Sequence, residues 1–302
     1  MKKGYLLLTL GAILYGTVIV GGQFFVQLGL SLFQLVLFSM VIQFLCILPI
    51  VLLKPAYQIE KRFISFFLIY GLIGAGAELA QFGGLFFRVP VAVVAFLCYT
   101  QPLWTILFGR LILGEPITGR KVAATALALA GVAVLLAPAW SGNSNVSGVG
   151  LAIALAGGVL FSLWVIWGRK SGISKLHFVT TTFGWSIFTT LWLMLAWPLI
   201  SLWIPDRSIV SLSLALPPLY WFYLVVFTLI AGLIPNFCFF RGLRSMEAGA
   251  AGIILLLEPL VASLLAWMLF DQEIGLGTAV GGFLILLSNY FVGNMLDTPS
   301  QE

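Results

Sequence analysis

The sequence predicts an all-α membrane protein with ten transmembrane helices, arranged as two five-helix repeats of inverted topology. Its composition, ten apolar runs and a motif that occurs twice support this prediction. Of the 302 residues, 61% are hydrophobic and 8% are charged. Soluble domains carry about 25% charged residues, so the composition excludes an ordinary soluble protein.

Ten apolar runs are long enough to cross a bilayer, for which about 20 residues in a helix suffice. The chain starts with Lys2 and Lys3 before the first run, as a secretory signal does, but no small-residue cleavage site follows convincingly. We therefore expect the first run to be retained as a helix. Breaks at charge, proline and glycine clusters place the spans at 5–24, 31–53, 64–87, 91–113, 118–138, 148–168, 177–200, 218–241, 248–270 and 275–296.

The positions of Lys and Arg predict the orientation of the spans. Ten spans put both termini on one side, and if that side is cytoplasmic, only Arg88 and Arg207 of the 15 basic residues fall outside. The net charge of +5 is explained by these scattered residues, so we expect no nucleic-acid partner. The sequence predicts a multi-pass protein of the inner or plasma membrane with cytoplasmic termini.

One motif occurs near the end of both halves of the chain. Glu258 precedes a proline in the ninth run, Gln101 precedes one in the fourth, and Glu115 corresponds to Glu273 with an offset of one residue. Five spans per half is an odd number, so the second half must enter the membrane in the opposite orientation. Inverted repeats of this kind recur in secondary transporters, whose substrate site lies near the midplane.

The repeat also predicts how the chain is divided. We expect a first five-helix repeat at 1–138, an extracytoplasmic linker at 139–147, a second repeat at 148–296 and a cytoplasmic tail at 297–302.

The ends of the two halves resemble the repeat signature of the EamA-type permeases of the drug/metabolite transporter superfamily. They read QPLWTILFGRLILGE from Gln101 and EPLVASLLAWMLFDQE from Glu258. The resemblance covers nearly the whole chain, and Asp271 and Gln272 before Glu273 depart from the family's Gly-Glu pair. It implies transport of small metabolites, since the family includes amino-acid exporters. It also implies a cavity lined by spans one, three, four, six, eight and nine.

Sequence motifs of enzymes are missing from the chain. It contains no Ser/His/Asp set, no P-loop and no HExxH spacing, so we expect no enzymatic activity, cofactor or metal. The cysteines Cys46, Cys98 and Cys238 lie inside apolar runs and are expected to act as small apolar side chains. Without a nucleotide site, uphill transport would require an ion gradient, for which protons are the candidate coupling ion.

Only two carboxylates lie deep inside the predicted spans, Glu78 in the third and Glu258 in the ninth. No Lys or Arg lies at a comparable depth, so each must be protonated, hydrogen-bonded or paired with a cation that comes and goes. A substrate ammonium or a proton fits the last case. Pro259 removes a hydrogen bond from the carbonyl of Leu255 and can kink the ninth span there. A structural alternative is that Glu258 bonds to the backbone freed by Pro259.

Further candidate substrate contacts are polar or aromatic residues near these acids or near the proline kinks. Tyr99 and Gln101 point about 200° apart on an ideal helix, so both reach one cavity only if Pro102 distorts the turn. The candidates are Tyr15, Gln81, Phe82, Tyr99, Gln101, Trp104, Trp164 and Asn236.

Charged residues at the span ends are expected to have structural roles. Glu115 and Glu273 each precede the start of a helix, where an acid is favourable to the helix dipole, and we expect them to cap the helices that follow. The lone His177 is expected at a membrane edge. The basic residues expected to set topology are Arg110, Arg120, Lys121, Arg169 and Lys170.

The sequence therefore favours a secondary transporter that works by alternating access and exports an amino acid or a related amine-bearing metabolite. The expected partners are a small-molecule substrate, the lipid bilayer and protons, and the chain is either a monomer or a homodimer. The alternatives are an uncoupled facilitator, an importer of other small solutes such as cationic drugs or nucleotide sugars, and a non-transporting membrane scaffold.

Overall fold

Helices form every regular element in the part of the chain that the structure, a computed structural model, describes: residues 2–86, 89, 91–137, 147–204, 206–270 and 275–295. Ten helical stretches there are long and apolar enough to cross a membrane. The prediction of an all-α protein with ten spans is confirmed. Arg88, Glu273, residues 139–146 of the predicted linker and the predicted tail lie outside the described residues.

Seven of these spans are continuous helices. Short structures connect some of them: two 3-10 turns, Pro55–Tyr57 and Lys61–Phe63, and the four-residue helix α9, Arg207–Val210. The continuous spans are α1 (Lys2–Gln27), α2 (Leu32–Leu53), α3 (Ile64–Phe86), α6 (Gly119–Leu136), α7 (Gly148–Ile173), α8 (Phe178–Trp203) and α14 (Leu276–Met295).

Three spans are interrupted, each next to a proline. A proline removes one backbone hydrogen bond and clashes with the preceding turn, so a helix tends to break just before it. The ninth span breaks at Leu256, as the Glu-Pro pair predicted, and the fourth breaks at Tyr99 and Thr100. The fourth span consists of α4 (Val91–Cys98), α5 (Gln101–Phe108) and a π-helical segment (Gly109–Leu113). The eighth span consists of α10 (Pro218–Phe227), a π-helical segment (Thr228–Leu233) and α11 (Ile234–Leu243). The ninth span consists of α12 (Ala248–Leu255) and α13 (Leu257–Phe270).

The two halves of the chain, 2–137 and 147–295, pack into each other. In the first half, α3 packs against α7 and α8 of the second, and α1 packs against α11 and α13. A buried core of apolar side chains from both halves fills the space between these helices. The interface between the halves therefore runs through the middle of the molecule.

Helices α6 and α14 cross at two glycines. A Cβ atom added to Gly131 would lie 2.7 Å from the carbonyl oxygen of Gly281, and one added to Gly281 would lie 2.5 Å from that of Gly131. Small residues allow helices in membranes to approach closely, where packing rather than the hydrophobic effect holds them together. Glycine is required at this crossing because no side chain fits.

His177 lies outside the spans, immediately before α8. Its ring stacks on Tyr57 with centroids 4.4 Å apart. Partial burial, followed by the positive charges of Arg244, Arg241 and Lys54, lowers the pKa of His177 below its usual value of 6.5. The imidazole is therefore neutral at neutral pH, and its stacking on Tyr57 fits the interfacial role that the sequence indicates.

Candidate functional site

The two deep carboxylates belong to different halves of the chain. Glu78 belongs to α3, and Glu258 lies at the start of α13, directly after the break in the ninth span. They are close enough to interact electrostatically with each other. In the part of the chain that the structure describes, no Lys or Arg pairs with either acid.

Tyr99 reaches Glu258 from the break in the fourth span. Its hydroxyl donates a long hydrogen bond of 3.4 Å to Glu258 Oε1. The turn between Cys98 and Gln101 frees Tyr99 from the helical pattern, which is how it comes to face the ninth span. The structural alternative required that Glu258 bond to the backbone freed by Pro259. Among the described residues, its hydrogen-bond partner is the Tyr99 hydroxyl instead.

A hydrogen-bonded chain joins three spans beside the acids. The hydroxyl of Tyr15 in α1 donates to Asn236 Oδ1 at 2.5 Å, and Asn236 Nδ2 donates to Gln43 Oε1 at 2.8 Å. Asn236 and Gln43 are almost fully buried. Gln43 Nε2 has no hydrogen-bond partner within the described residues, so a buried donor is left over here.

Aromatic rings form a wall next to Tyr15. Trp164 of α7 stacks on Phe239 with centroids 4.7 Å apart, and Tyr15 meets both rings edge-on at 6.4 and 6.2 Å. Trp185 of α8 approaches Trp164 to 5.6 Å. The indole nitrogens of Trp164 and Trp185 are both buried without a hydrogen-bond partner in the described part of the chain. The wall thus carries two unused donors.

Hydrogen bonds and ring contacts join Tyr15 to Asn236 and Trp164, and Tyr99 to Glu258. Tyr15 interacts with both Glu258 and Glu78. The structure thereby brings six of the ten predicted site residues together, although Gln43 and Trp185 were not predicted from the sequence. We call this set the central cluster: Tyr15, Glu78, Tyr99, Trp164, Asn236 and Glu258.

Two predicted residues lie along α5, away from the described contacts of the central cluster. Gln101 Nε2 donates to Thr105 Oγ1 at 2.5 Å and lies against Gly252 of α12. Trp104 Nε1 donates to Thr100 Oγ1 at 3.2 Å. The remaining two, Gln81 and Phe82, are in α3, but their side chains lie outside the described residues. Substrate contact by these four residues stays a prediction.

Glu115 does not cap the helix that follows it, so that prediction is wrong. Its carboxylate accepts hydrogen bonds from the backbone N–H groups of Ala248, at 2.9 Å, and Gly249, at 3.4 Å, which begin α12. Thr118 caps α6 instead. The reason is the left-handed conformation of Gly114, at φ 72°, which turns the chain after the π-helical segment.

Two basic residues expected only to set topology are engaged in ion pairs. Arg169 Nε lies 3.5 Å from Glu115 Oε1. Lys121, 5% exposed, pairs with Glu247. These contacts lie at the same end of the molecule as the start of α12, away from the central cluster.

The comparisons with known proteins agree with this architecture. The profile of the EamA-like transporter family matches residues 2–137 and 148–294. A Clostridium kluyveri protein described as an uncharacterized transporter is 23% identical over 304 residues, covering 96% of this chain and 92% of that protein. Protein PecM of Dickeya dadantii is 27% identical over 221 residues, covering 70% of this chain and 68% of PecM.

A solved crystal structure has the same fold. It matches with a TM-score of 0.79 at 18% sequence identity, covering 99% of this chain and 100% of the other. The family resemblance predicted from the ends of the two halves is thereby confirmed. Because the family profile matches nearly all of its length, the chain belongs to the EamA-like transporter family.

Proposed function

We propose that this member of a family of small-solute transporters exports an amine-bearing metabolite, such as an amino acid, in exchange for protons. The observation that carries the proposal is that Glu258 contacts the Tyr99 hydroxyl deep in the ninth span while neither Glu258 nor Glu78 pairs with a Lys or Arg among the described residues. Charges in the membrane interior are costly and are usually paired or mark a transport pathway. A substrate ammonium or a proton is the cation that this site lacks.

The two cations would occupy the site in turn. A protonated amine binds against the carboxylates, and after its release a proton from outside neutralises the same groups. Because one cation replaces the other, the net charge of the site stays nearly constant whichever side of the membrane the site faces. This lowers the free-energy cost of the conformational change within the bilayer. This is alternating access with the acids as the shared binding groups.

The remaining groups of the central cluster suit the other parts of such a solute. The aromatic wall formed by Trp164, Phe239 and Tyr15 suits the apolar part of such a solute. The indole N–H of Trp164, which has no partner among the described residues, suits a carboxylate or carbonyl oxygen of the solute. An amino acid presents both kinds of group.

The proposal includes the orientation in the membrane. We place the chain in the inner or plasma membrane with both termini cytoplasmic and with inverted repeats at 1–138 and 148–296. The bias of Lys and Arg and the odd number of spans per half support this arrangement.

The alternatives fit the site less well. Nucleotide sugars are anionic and would be repelled by two acids. A non-transporting scaffold would pair all its deep polar groups with one another. Tyr15, Asn236 and Gln43 are paired in this way, but Gln43 Nε2 and two indole nitrogens have no partner in the described part of the chain. An uncoupled facilitator for cationic solutes remains the second candidate, because the same acids would serve it.

Flux through purified protein in liposomes tests the proposal. Liposomes are loaded with a panel of amino acids, and efflux is measured with and without an outside-acidic pH gradient. We expect efflux of one amino acid to rise with the gradient, because entering protons replace the departing amine. Efflux that ignores the gradient would support the facilitator, and no efflux across the panel would contradict amino-acid export. Protein-free liposomes are the control.

A further inference from the structure

Charged side chains at one end of the molecule bind each other across the two halves, apart from the central cluster. Glu115 follows the fourth span, and its carboxylate accepts from the first two N–H groups of α12. Arg169, near the end of α7, lies 3.5 Å from the same carboxylate. The side chains of Glu115 and Arg169 are only 11% and 19% exposed.

Arg169 also binds the end of the eighth span. Its Nη1 donates to the carbonyl oxygens of Leu243, at 2.9 Å, and Arg244, at 2.7 Å, where α11 ends. Cations are favourable at the C-terminus of a helix because its last carbonyl groups have no partner within the helix. Arg169 therefore joins α7 to α11 by hydrogen bonds and is held to Glu115 by charge, since its Nε makes no hydrogen bond to a described residue.

A second ion pair reinforces this end. Lys121 of α6 pairs with Glu247, the residue directly before α12, and its Nζ donates to the carbonyl oxygen of Pro116 at 2.7 Å. Lys121 and Glu115 belong to the first half of the chain, whereas Glu247 and Arg169 belong to the second. Both pairs thus join one half to the other.

The spans tied together here are spans that carry the central cluster. Tyr99 lies in the fourth span, Trp164 in α7, Asn236 in α11 and Glu258 in the ninth span. A solute that leaves the cluster toward this end must pass between these helices. While Glu115 holds the start of α12, these helices stay joined.

We propose that Glu115 and Arg169 form a lock that closes this end of the transport route and opens once in each cycle. The lock opens when the carboxylate leaves the N–H groups of α12 and both charged groups pass into water. Hydration then replaces the lost hydrogen bonds, so opening is reversible. The proposal rests on the alternating access in the proposed function, and it does not depend on which solute is carried.

Labelling of a cysteine in the central cluster tests the lock without any solute. Tyr99→Cys provides the thiol in a background with Cys46, Cys98 and Cys238 replaced by alanine. A charged, membrane-impermeant thiol reagent is applied to membrane vesicles of either orientation. We call the end of the molecule that carries Glu115 and Arg169 the lock end. We expect Glu115→Gln to speed labelling from the lock end about tenfold, because a neutral amide holds the N–H groups of α12 and Arg169 less strongly than a carboxylate does.

Glu60→Gln is the matched control, since Glu60 is an acid that pairs with Arg62 in an exposed turn. It should leave labelling unchanged. The lock is excluded if the Glu115→Gln protein elutes like the folded protein that retains Glu115 and if its thiol is labelled from the lock end at the same rate.

A disulfide gives a second, independent test. The Cα of Ile106 in α5 lies 3.8 Å from where a Cβ on Gly249 would lie, which suits the Cα separation of about 4.4–6.8 Å in disulfides. With Ile106→Cys and Gly249→Cys in the cysteine-free background, oxidation should stop flux and reduction should restore it. Flux that persists in fully oxidised protein would overturn the lock. If no amine is transported at all, the proposed function fails, and the labelling result alone decides on the lock.

Discussion

Replacing Glu258 by glutamine is expected to abolish gradient-driven efflux. The amide keeps the shape and can still accept a hydrogen bond from Tyr99, but it cannot pair with an ammonium or carry a proton. Loss of one member of a buried charge pair costs about 2–5 kcal/mol, so we expect flux to fall roughly 30-fold or more. The measurement is efflux from liposomes across a range of outside pH values.

Glu78→Gln should have a similar effect, because Glu78 is the other deep acid without a Lys or Arg partner among the described residues. The exposed acid Glu60, replaced by glutamine, is the control and should leave flux unchanged. If both deep variants retained flux together with its pH dependence, the charge role of the central cluster would be refuted, although the family assignment would stand.

The largest effect on stability is expected at the crossing of α6 and α14. Gly131→Ala or Gly281→Ala places a methyl group within 2.7 Å of the facing backbone, which cannot move aside as a side chain can. Overpacking of this kind costs about 1–3 kcal/mol. We expect each variant to lower the temperature of unfolding in detergent by several degrees, measured by the loss of the monodisperse peak in size-exclusion chromatography after heating.

Two other glycines provide matched controls for this prediction. Gly119 in α6 and Gly148 in α7 have no atoms within 4 Å of an added Cβ. Alanine there should be neutral or slightly stabilising, because alanine favours the helix more than glycine does. Equal unfolding temperatures for all four variants would show that the α6–α14 crossing relaxes freely.

Hydropathy and proline positions were sufficient to predict the ten spans and the break in the ninth. The predicted bounds fall short where helices continue past the apolar run: α7 was expected to end at residue 168 and extends to Ile173, through Arg169 and Lys170. Hydropathy reports the thickness of the apolar layer, whereas helical hydrogen bonding continues into polar sequence beyond it.

The centre of the site was predictable because a deep acid is rare in a membrane span. Gln43 and Trp185 were missed for different reasons. Gln43 lies in the second span, which the family resemblance did not place at the cavity. Trp185 could not be distinguished by type, since 14% of the chain is aromatic. Both become recognisable only through contacts with Asn236 and Trp164.

No local sequence pattern could identify the hydrogen-bond partner of Glu115. Its carboxylate binds Ala248, which is 133 residues away in sequence. A capping prediction from sequence considers only the next helix, and the left-handed turn at Gly114 redirects the acid to a helix of the other half. Contacts between halves depend on how the halves pack, which spacing along the chain does not encode.

The exchange of charges between the halves has a consequence for biogenesis. A half synthesised alone would leave either Glu115 or Arg169 without its counter-charge, and Lys121 would lose Glu247 in the same way. The low exposure of the Glu115 and Arg169 side chains, 11% and 19%, is itself reached only in the complete protein. During insertion, the first five helices therefore gain these contacts only when the later helices arrive.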